Sequence, residues 1–429
     1  MISASELRPC RGMRDFYPRQ MVGRIWLFEK MRAAARLFGY QEYDGPALEP
    51  LALYAAKSGE ELVKKQTFIL KDRSGQKLAL RPELTPTLAR MVAQKQGQLN
   101  MPLRWFSIGP RWRYERPQKG RTREFYQWDV DLIGVDSIEA DAEIIAIAVE
   151  LLRSVGLSAK QVVIKVNSRR FLEQKLNFIE VPKSKVQVVF SAIDKKDKMN
   201  DKDWKEYLKE IGLNKLQIED LQGILKDNDF SGESDELTNL FSTLKDLGVA
   251  DYVEFDPTVV RGLDYYTGTV FEARDREDKF RAILGGGRYD NLVEVVGGQK
   301  VAGVGFACGD VVIKELLKNF SLWPNLNPTP TKVLVTVFEE SLYRGSLKFV
   351  SRLRKAGIAA EIYLAPTKLN KQLKYADKRG IGWVVILGPE EIANKAVALK
   401  NLKTGQQETI SQNQAIKKLA RLSCGKISL

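Results

Sequence analysis

The 429-residue sequence contains no histidine at any position. This absence excludes Ser-His-Asp and Cys-His nucleophile systems, in which an imidazole takes the proton from the nucleophile. It also excludes histidine-bearing metal sites and any imidazole that acts as a general acid or base. An enzyme with this sequence therefore has to work with carboxylates, arginines, a group on its substrate or a metal ion.

Cysteine and long apolar runs are also scarce. Cys10, Cys308 and Cys424 lie far apart and form no CxxC pair, so we expect neither disulfides nor structural zinc, as in a reducing cytoplasm. Charged residues interrupt each apolar run before the roughly 18 residues that a membrane helix needs. The first segment, MISASELRPCRGMRDFYPRQ, has no apolar signal core. These features predict a cytoplasmic protein with no membrane partner.

The common sequence motifs for nucleotide phosphates are missing as well. Neither GxxxxGKS nor GxxxxGKT is present, which excludes a P-loop. The segment GVGFACG (Gly303–Gly309) has the wrong spacing for GxGxxG, and no acidic residue follows it at the distance that a dinucleotide site needs. We interpret this segment as a buried strand that turns into a helix.

Positive charge is abundant and unevenly distributed. The formal net charge is +14, yet residues 331–429 alone hold 18 Lys and Arg against 7 Asp and Glu. The first 330 residues are nearly balanced, with 50 basic and 47 acidic side chains. A compact basic C-terminal domain is typical of a nucleic-acid contact, although a basic surface that serves only solubility fits the charge equally well.

Prolines mark a linker before this basic part. Pro324, Pro328 and Pro330 deny regular structure to the segment 318–332. Strand-like and helix-like segments alternate after it, which predicts a small parallel-type sheet covered by helices. The predicted strands are KVLVTVF, AAEIYL and GWVVILG, the predicted helices are about Tyr343–Ala356 and KLNKQLKYADKRG, and the predicted hairpin is AVALKNLKTGQQETI.

The larger N-terminal part combines helices with strand-like runs. We predict helices at Arg24–Phe38, Pro86–Gln96 and Glu139–Val155, and a lysine-rich helical insertion at Ile179–Gly248. Because strands dominate one block and helices flank it, an antiparallel sheet with helices is favoured over a doubly wound fold. The predicted strands are TFILKD, KLALRPE, RWFSIGPRWRYER, EFYQWDVDLIGV, VEFDPTVVRG, GTVFEARD and RAILGGG.

The segment RWRYERPQKGRTREFYQWDVD (Arg111–Asp131) predicts a hairpin with a charged face. Alternation along a strand places Arg111, Arg113 and Glu115 on one face, and it groups four more side chains on the return strand. Arginine forks suit phosphate oxygens and a phenyl ring can stack on a base, so this wall suits a nucleoside triphosphate beside a small ammonium-bearing ligand. A salt-bridged sheet surface explains the pattern equally well. The return-strand side chains are Phe125, Gln127, Asp129 and Asp131.

Three further segments favour the binding-site interpretation. In LALRPELTPTLARM (Leu78–Met91), a strand ends and Thr85 is predicted to cap a helix opened by Pro86. VVRGLDYYTGTVFEA (Val259–Ala273) crowds an arginine and two tyrosines at the end of a strand. The glycines of LGGGRYDNLVEVVGG (Leu284–Gly298) permit close approach of the backbone.

Together, these four segments resemble histidyl-tRNA synthetases, a family of class II aminoacyl-tRNA synthetases. The resemblance covers nearly the whole chain, from RGMRDFYP through FGYQEYDGPALEP, which is similar to the family's dimer-interface motif, to KQLKYADKRG. A class I enzyme is excluded independently, because its HIGH signature needs histidines.

The resemblance implies an α+β fold with three parts. These are a class II synthetase-type antiparallel sheet catalytic domain with helices, a helical insertion, and a C-terminal α/β anticodon-binding domain. The implied boundaries are 1–178 and 249–322 for the catalytic core, 179–248 for the insertion, 323–331 for the linker and 332–429 for the anticodon-binding domain.

By the same resemblance, the chain is expected to activate L-histidine with ATP to histidyl-adenylate and to transfer histidine to the 3′ end of tRNA(His). The implied ligands are ATP with Mg²⁺, L-histidine and tRNA(His), the implied assembly is a homodimer, and no protein-held metal is expected. A carboxylate attacks the α-phosphate without a general base, so the missing histidines are no obstacle. The alternatives are a catalytically impaired paralogue that senses histidine as a regulatory subunit, and a nucleic-acid-binding accessory subunit of a polymerase.

The resemblance also implies roles for individual residues. Arg261 and Arg113 are the expected catalytic residues, and Arg116 and Gln118 are expected to approach the acceptor end of tRNA. The implied ATP-binding residues are Arg113, Glu115, Arg121 and Phe125. The implied histidine-binding residues are Glu83, Leu84, Thr85, Arg113, Gln127, Asp131, Arg261, Tyr265, Tyr266 and Tyr289.

Two positions depart from the family pattern. Many relatives carry glutamate at the place of Asp131, which implies a slightly relocated contact to the ammonium group. The family's third motif usually ends in Gly-x-Glu-Arg with the arginine on ATP, whereas this chain has Gly309-Asp310-Val311-Val312. Val312 cannot bind phosphate, so a neighbouring cation replaces the arginine, or ATP is held more weakly, or the chain is a non-catalytic paralogue.

Overall fold

The computed structural model describes residues 7–55, 66–118, 120–196, 199–263, 265–337 and 339–424. These residues form two compact units. The first unit contains residues 7–15 and Leu27–Trp323, and the second contains Phe16–Trp26 and residues 324–424. Every helix among the described residues is too short or too polar to span a membrane.

Two sheets organise the first unit. Its strands are β1 (Gln41–Glu42), β2 (Leu48–Pro50), β3 (Phe68–Lys71), β4 (Lys77–Leu80), β5 (Leu103–Trp112), β6 (Glu124–Ile133), β7 (Val162–Ser168), β8 (Val253–Phe255), β9 (Thr269–Asp275), β10 (Leu284–Arg288) and β11 (Gly303–Gly309). The large sheet has the order β1-β5-β6-β11-β10-β9-β7-β8, and β2, β4 and β3 form the small one.

The six inner strands of the large sheet confirm the predicted antiparallel arrangement, since each inner pairing is antiparallel. The edge strands β1 and β8 pair parallel with their neighbours, which the sequence pattern did not indicate. β8 covers only the start of the predicted run VEFDPTVVRG. It ends at Phe255. The carboxylate of the next residue, Asp256, accepts hydrogen bonds from the backbone N–H and the hydroxyl of Thr258, and Pro257 cannot donate to a ladder.

The charged segment forms the predicted hairpin, in which β5 and β6 pair antiparallel along their full length. The pairing ends at Trp112, because the chain then turns and the backbone N–H of Tyr114 donates to the carbonyl of Gln66. Arg113 and Glu115 therefore lie beyond the strand. The predicted strand-like run RWFSIGPRWRYER is therefore longer than β5, and the shared face of these side chains stays a prediction.

Helices up to Asn319 are α1 (Pro18–Leu37), α2 (Leu51–Ala55), α3 (Thr85–Lys95), α4 (Ile138–Ser154), α5 (Arg169–Phe178), α6 (Val186–Asp194), α7 (Asp201–Glu210), α8 (Lys215–Ile224), α9 (Asp235–Asp246), α10 (Leu292–Val295) and α11 (Asp310–Asn319). α1 begins earlier than predicted, at a proline, which is favoured in a first helical turn. Leu84 is the N-cap residue of α3, so the predicted cap by Thr85 is wrong. The hydroxyl of Thr85 instead interacts with that of Tyr265.

α4 fixes the large sheet from one side. It is buried along most of its length and packs against β6 and β11. Asp141 of α4 is fully buried and pairs with Arg288 of β10, at 2.7 Å between Asp141 Oδ1 and Arg288 Nη2. The hydroxyl of Thr269 in β9 donates to the same carboxylate at 2.7 Å. This charge pair therefore holds the strands β9 and β10 against the helix.

The predicted insertion is helical. α6, α7 and α8 share one apolar core with α5, and the buried indole N–H of Trp204 donates to the carbonyl of Ala192 at 2.8 Å. Val260, next to the segment RGLDYY, packs into this core. α9 packs instead against α4 and brings Leu237 beside Phe171. The helical insertion therefore packs, through Val260, against the segment that precedes β9.

The second unit confirms the predicted alternation of strands and helices. Three neighbouring strands, in the order β13-β12-β14, are parallel, and the antiparallel hairpin β15–β16 extends the sheet. Gly380 ends a helix in the left-handed conformation, with φ +70°. The strands are β12 (Val333–Val335), β13 (Ala360–Ile362), β14 (Trp383–Ile386), β15 (Ala396–Asn401) and β16 (Gln407–Ser411), and the helices are α12 (Tyr343–Lys355), α13 (Leu369–Arg379), α14 (Pro389–Ala393) and α15 (Gln412–Cys424).

Candidate active site

Hydrogen bonds join the four segments that the sequence singled out. The hydroxyl of Tyr265 donates to Oε2 of Glu83 at 3.2 Å, which links the segment before β9 to the start of α3. The hydroxyl of Tyr289, just after β10, donates to Oδ1 of Asp131 in β6. The ring centroids of Tyr265 and Tyr289 are 6.0 Å apart, so the two contacts belong to one cluster. Residues from distant parts of the chain thus form a single buried cluster, which we call the tyrosine pocket.

Tyrosine rings and carboxylates line this pocket. Tyr266 stands 5.0 Å from Tyr265, measured between ring centroids. Glu83, Asp131 and Tyr289 are each at most 5% exposed, so water does not screen their charges and dipoles. Leu84, the residue after Glu83, is fully buried as well.

Asp131 can lie flat on the sheet only because β11 has a glycine opposite it. Gly305 is its register partner, and a Cβ on Gly305 would lie 2.3 Å from Oδ1 of Asp131. Burial raises the pKa of Asp131 to about 8, while the hydrogen bond from Tyr289 opposes the shift and repulsion from Asp129 adds to it. Without a ligand, the carboxyl of Asp131 is therefore mostly protonated at neutral pH. A cationic ligand would favour its ionised form.

This shift predicts a pH-dependent stability. The folded protein keeps the proton on Asp131 up to about pH 8, whereas the unfolded chain releases it near the ordinary pKa of about 4. Between these values the folded state binds more protons, so the unfolding free energy contributed by this group falls as the pH rises. Asp131→Asn removes this contribution, and we expect the stability of the variant relative to the wild type to increase steadily from pH 5 to pH 8.

Urea unfolding of the ligand-free proteins at half-unit pH steps measures this difference. Titrating groups far from Asp131 are shared by both proteins and cancel in it. Asp220→Asn, a change at an exposed position of α8, is the control and should give a constant offset. A constant offset for Asp131→Asn as well would contradict the assignment.

A second feature borders the pocket: the guanidinium of Arg261. Its Nη1 donates to Oε2 of Glu272 in β9 at 2.6 Å. A Cβ on Gly285 would lie 2.3 Å from Cζ of Arg261, so the planar guanidinium rests directly on the backbone of β10. The backbone of Arg261 has φ +56°, which is unfavourable for a residue with a side chain. Such a conformation needs support from its surroundings.

Arg169, the first residue of α5, supplies that support. Its Nη2 donates to the carbonyl of Arg261 at 2.6 Å, its Nη1 to the carbonyl of Tyr266 at 3.2 Å and its Nε to the carbonyl of Val260 at 3.0 Å. One side chain thus fixes the backbone that carries both the arginine and a pocket tyrosine. The sequence analysis missed Arg169, since its partners lie about 90 residues away along the chain.

The loop that joins β5 and β6 forms a third, cationic part. Nε of Arg113 donates to the carbonyl of Pro82 at 3.0 Å, next to Glu83, and its guanidinium lies 5.3 Å from the ring centroid of Phe125. Arg121 and Glu115 form an ion pair at 2.5 Å. The residues expected at ATP therefore lie together, and Arg113 touches the segment that leads into the tyrosine pocket.

The two residues expected at tRNA lie on the same loop. Arg116 and Gln118 are exposed, so a large ligand could reach them. The backbone groups of Gln118 and Arg121 donate to each other at 3.0 and 2.9 Å, which closes the tip of the loop.

Several buried polar atoms in this region have no hydrogen-bond partner among the described residues. They are Oη of Tyr43, Oε1 of Gln127 and Nε of Arg261. Buried polar groups are rarely left unpaired in folded proteins, so such atoms mark places where a ligand would bind. The sequence analysis did not assign a role to Tyr43, although it lies in the segment FGYQEYDGPALEP.

A fully buried charge pair stands beneath the site. Arg111 and Asp129 are at most 4% exposed, and Nη2 of Arg111 lies 2.6 Å from Oδ2 of Asp129. Burial raises the pKa of Asp129, while the charge of Arg111 lowers it. The strand-face prediction grouped both residues with the binding wall, and the structure shows that they pair with each other, while Nε of Arg111 has no partner among the described residues.

Comparison with known proteins follows the same division of the chain. A family described as Histidyl-tRNA synthetase matches residues 12–310, and one described as Anticodon binding domain matches residues 332–422. The chain is 37% identical over 421 residues to the histidine–tRNA ligase of Leptospira biflexa, which covers 95% of this chain and 96% of that protein. It is 38% identical over 412 residues to the chloroplastic/mitochondrial histidine–tRNA ligase of Arabidopsis thaliana. This match covers 94% of this chain and 84% of that protein.

Solved structures are similar over nearly the full length. The crystal structure of histidyl-tRNA synthetase from a Nostoc species matches with a TM-score of 0.81 at 26% identity, over 98% of this chain and 100% of that chain. The apo enzyme from S. aureus matches with a TM-score of 0.73 at 23% identity, over 96% and 100%, and bears on the fold alone. Since one family matches residues 12–310 and relatives more than 30% identical span nearly all of the sequence, the chain belongs to the histidyl-tRNA synthetase family.

Proposed function

We propose that the chain is a histidine–tRNA ligase, which uses ATP to convert L-histidine to histidyl-adenylate and then transfers the histidyl group to the 3′ end of tRNA(His). The observation that carries the proposal is the buried pocket of tyrosines and carboxylates that borders the guanidinium of Arg261. A small cationic amino acid suits the pocket, and a phosphate group suits the arginine.

The pocket offers acceptors to each donor of histidine. Oε1 of Gln127 is buried without a partner among the described residues, and the carboxyl of Asp131 favours its ionised form when a cation arrives. We assign the ammonium group of histidine to these two side chains. Glu83 and Thr85, with the tyrosines at 265, 266 and 289, would then enclose the imidazole.

The activation step needs no proton transfer. A carboxylate oxygen of histidine attacks the α-phosphorus of ATP, a new O–P bond forms, and the bond to the β-phosphate oxygen breaks to release pyrophosphate. Negative charge grows on the α-phosphate oxygens during this step, and fixed cations stabilise it most when water is excluded. Arg261 and Arg113 are assigned this role. Phe125 would present its ring to adenine, with Glu115 near the adenine amino group and Arg121 toward the outer phosphates.

Magnesium would enter with ATP, since Mg²⁺ on phosphate oxygens neutralises charge in such reactions. Among the described residues, no group of three or more Cys, Asp or Glu side chains could hold a metal ion. The carboxylates of Glu115 and Glu272 are already paired with arginines. None of the steps assigned to the chain passes through the ion.

In the transfer step, the terminal hydroxyl of tRNA attacks the carbonyl carbon of the adenylate, and AMP leaves. Arg116 and Gln118, exposed on the loop between β5 and β6, would contact the acceptor end. The second unit is strongly basic and its helix α12 exposes Lys348 and Lys355, which suits the phosphates of the anticodon region. A homodimer is the proposed assembly, on the basis of the segment FGYQEYDGPALEP.

Pyrophosphate exchange into ATP tests the first step. The purified chain should catalyse exchange with L-histidine and not with glutamine or lysine, and it should charge tRNA(His). Arg261→Ala is the site control and should remove the exchange. A folded chain that binds histidine without exchange would contradict the proposal and support the regulatory paralogue instead.

A further inference from the structure

The connector between β9 and β10, residues 276–283, reaches the loop between β5 and β6. Nη2 of Arg281 donates to Oε1 of Gln118 at 3.2 Å, and 163 residues separate the two along the chain. Arg281 is exposed, so its guanidinium is accessible to a ligand. The connector thus adds a cation to the loop that already carries Arg121.

Arg281 stands among charges that do not neutralise it. Partial burial, and after it repulsion from Arg121, lowers the pKa of the Arg281 guanidinium, and Glu115 opposes this shift. Glu115 is already paired with Arg121 at 2.5 Å. Within the part of the chain that the structure describes, no carboxylate lies within ion-pair distance of Arg281. Arg281 therefore stands near a second guanidinium without an ion-pair partner of its own, and an anionic ligand would relieve the repulsion between the two groups.

Val312 faces the same loop. A Cβ on Gly120 would lie 4.0 Å from Cγ2 of Val312, and Gly120 directly precedes Arg121. Val312 is the third residue of α11, whose first residue, Asp310, is engaged by Arg14 at 3.0 Å. The start of this helix therefore offers the loop an apolar side chain, while the connector offers it a guanidinium.

We propose that Arg281 binds the β- and γ-phosphates of ATP and supplies the cation that the chain lacks at Val312. This inference rests on the proposed function and extends it to one residue outside the four segments. Arg281 and Arg121 together form a clamp for the outer phosphates, distinct from Arg261 and Arg113 at the α-phosphate. An arginine suits this role, because its fork can bind two phosphate oxygens at once.

Arg281→Ala tests the proposal by binding as well as by rate. The Kd of ATP, measured by calorimetry, and the KM of ATP in pyrophosphate exchange should both rise about 10-fold or more, as expected for the loss of a charge-assisted contact. The Kd of AMP, which lacks the outer phosphates, and the KM of histidine should not change. Arg281→Lys keeps the charge and loses the fork, so its Kd of ATP should lie between those of the wild type and Arg281→Ala. Adding Val312→Arg to Arg281→Ala should recover part of the affinity for ATP.

Lys279→Ala is the matched control, because it removes one positive charge from the same connector at a residue paired with Glu277. Equal Kd values of ATP for Arg281→Ala and Lys279→Ala would overturn the proposal. Equal losses for ATP and AMP in Arg281→Ala would also overturn it, since they indicate a disturbed loop. If the wild type binds ATP but shows no exchange, the proposed function fails, and the binding data still decide the role of Arg281.

Discussion

Replacing Arg261 with alanine should lower histidine-dependent pyrophosphate exchange by on the order of 10³-fold while the protein stays folded. Removing a single fixed donor from a developing oxyanion costs roughly 10²–10³ in kcat, and a guanidinium supplies a full charge as well. The loss should fall mainly on kcat, because charge on the α-phosphate is larger in the transition state than in ATP.

The fold should tolerate this change because Glu272 and Arg169, which bind Arg261, both keep other partners. Glu272 also pairs with Arg274, so its carboxylate is not left without a cation. Arg169 binds the backbone carbonyl at position 261 and not the side chain, and its contacts to Tyr266 and Val260 are unaffected. The pocket backbone therefore keeps its support in the variant.

Arg274→Ala is the matched control, since it removes a guanidinium from the same carboxylate and leaves Arg261 in place. We expect it to lower exchange only several-fold. Steady-state exchange with both variants, together with thermal unfolding, separates the two effects. Equal losses in Arg261→Ala and Arg274→Ala would show that the ion-pair network matters and that Arg261 has no special role at the phosphate.

Local signals in the sequence predicted much of the fold. The β5–β6 hairpin follows from alternation and a polar turn, and the second unit follows from the alternation of short apolar strands with basic helices. The same signals failed where a distant residue decides the local conformation. Arg113 and Glu115 lie beyond β5 because the backbone N–H of Tyr114 donates to the carbonyl of Gln66. Thr85 does not cap α3, and its hydroxyl interacts with that of Tyr265 instead.

The site residues also divide into those with a local sequence signal and those without one. The tyrosines and carboxylates that the sequence named do lie together, because each sits in or near a strand or helix that the pattern located. The residues that position them were missed. Arg169 bonds to carbonyls about 90 residues away, and Arg281 meets a loop 163 residues away. A single sequence carries no signal for such pairs, since neither spacing nor residue type marks them.

Gly285→Ala should reduce exchange at least about 10²-fold, although position 285 offers no functional group. The three atoms nearest to an added Cβ all belong to the guanidinium of Arg261, at 2.3 to 2.8 Å. The methyl group therefore has to displace the guanidinium from the face of β10, and a shift of about 1 Å at a catalytic group is enough for a loss of this size. Overpacking also costs about 1–3 kcal/mol, so the unfolding midpoint should fall.

The double variant Gly285→Ala/Arg261→Ala distinguishes this effect from general damage to the sheet. If the added methyl acts only through Arg261, the double variant should exchange no more slowly than Arg261→Ala and should unfold at the same temperature, because the clash has been removed. Gly97→Ala, where a Cβ meets nothing within 4 Å, controls for the loss of a glycine. Additive losses in the double variant would mean that Gly285 acts through another contact. Non-additive losses would show that Gly285 allows the guanidinium of Arg261 to lie on the backbone of β10, where we expect the phosphate to bind.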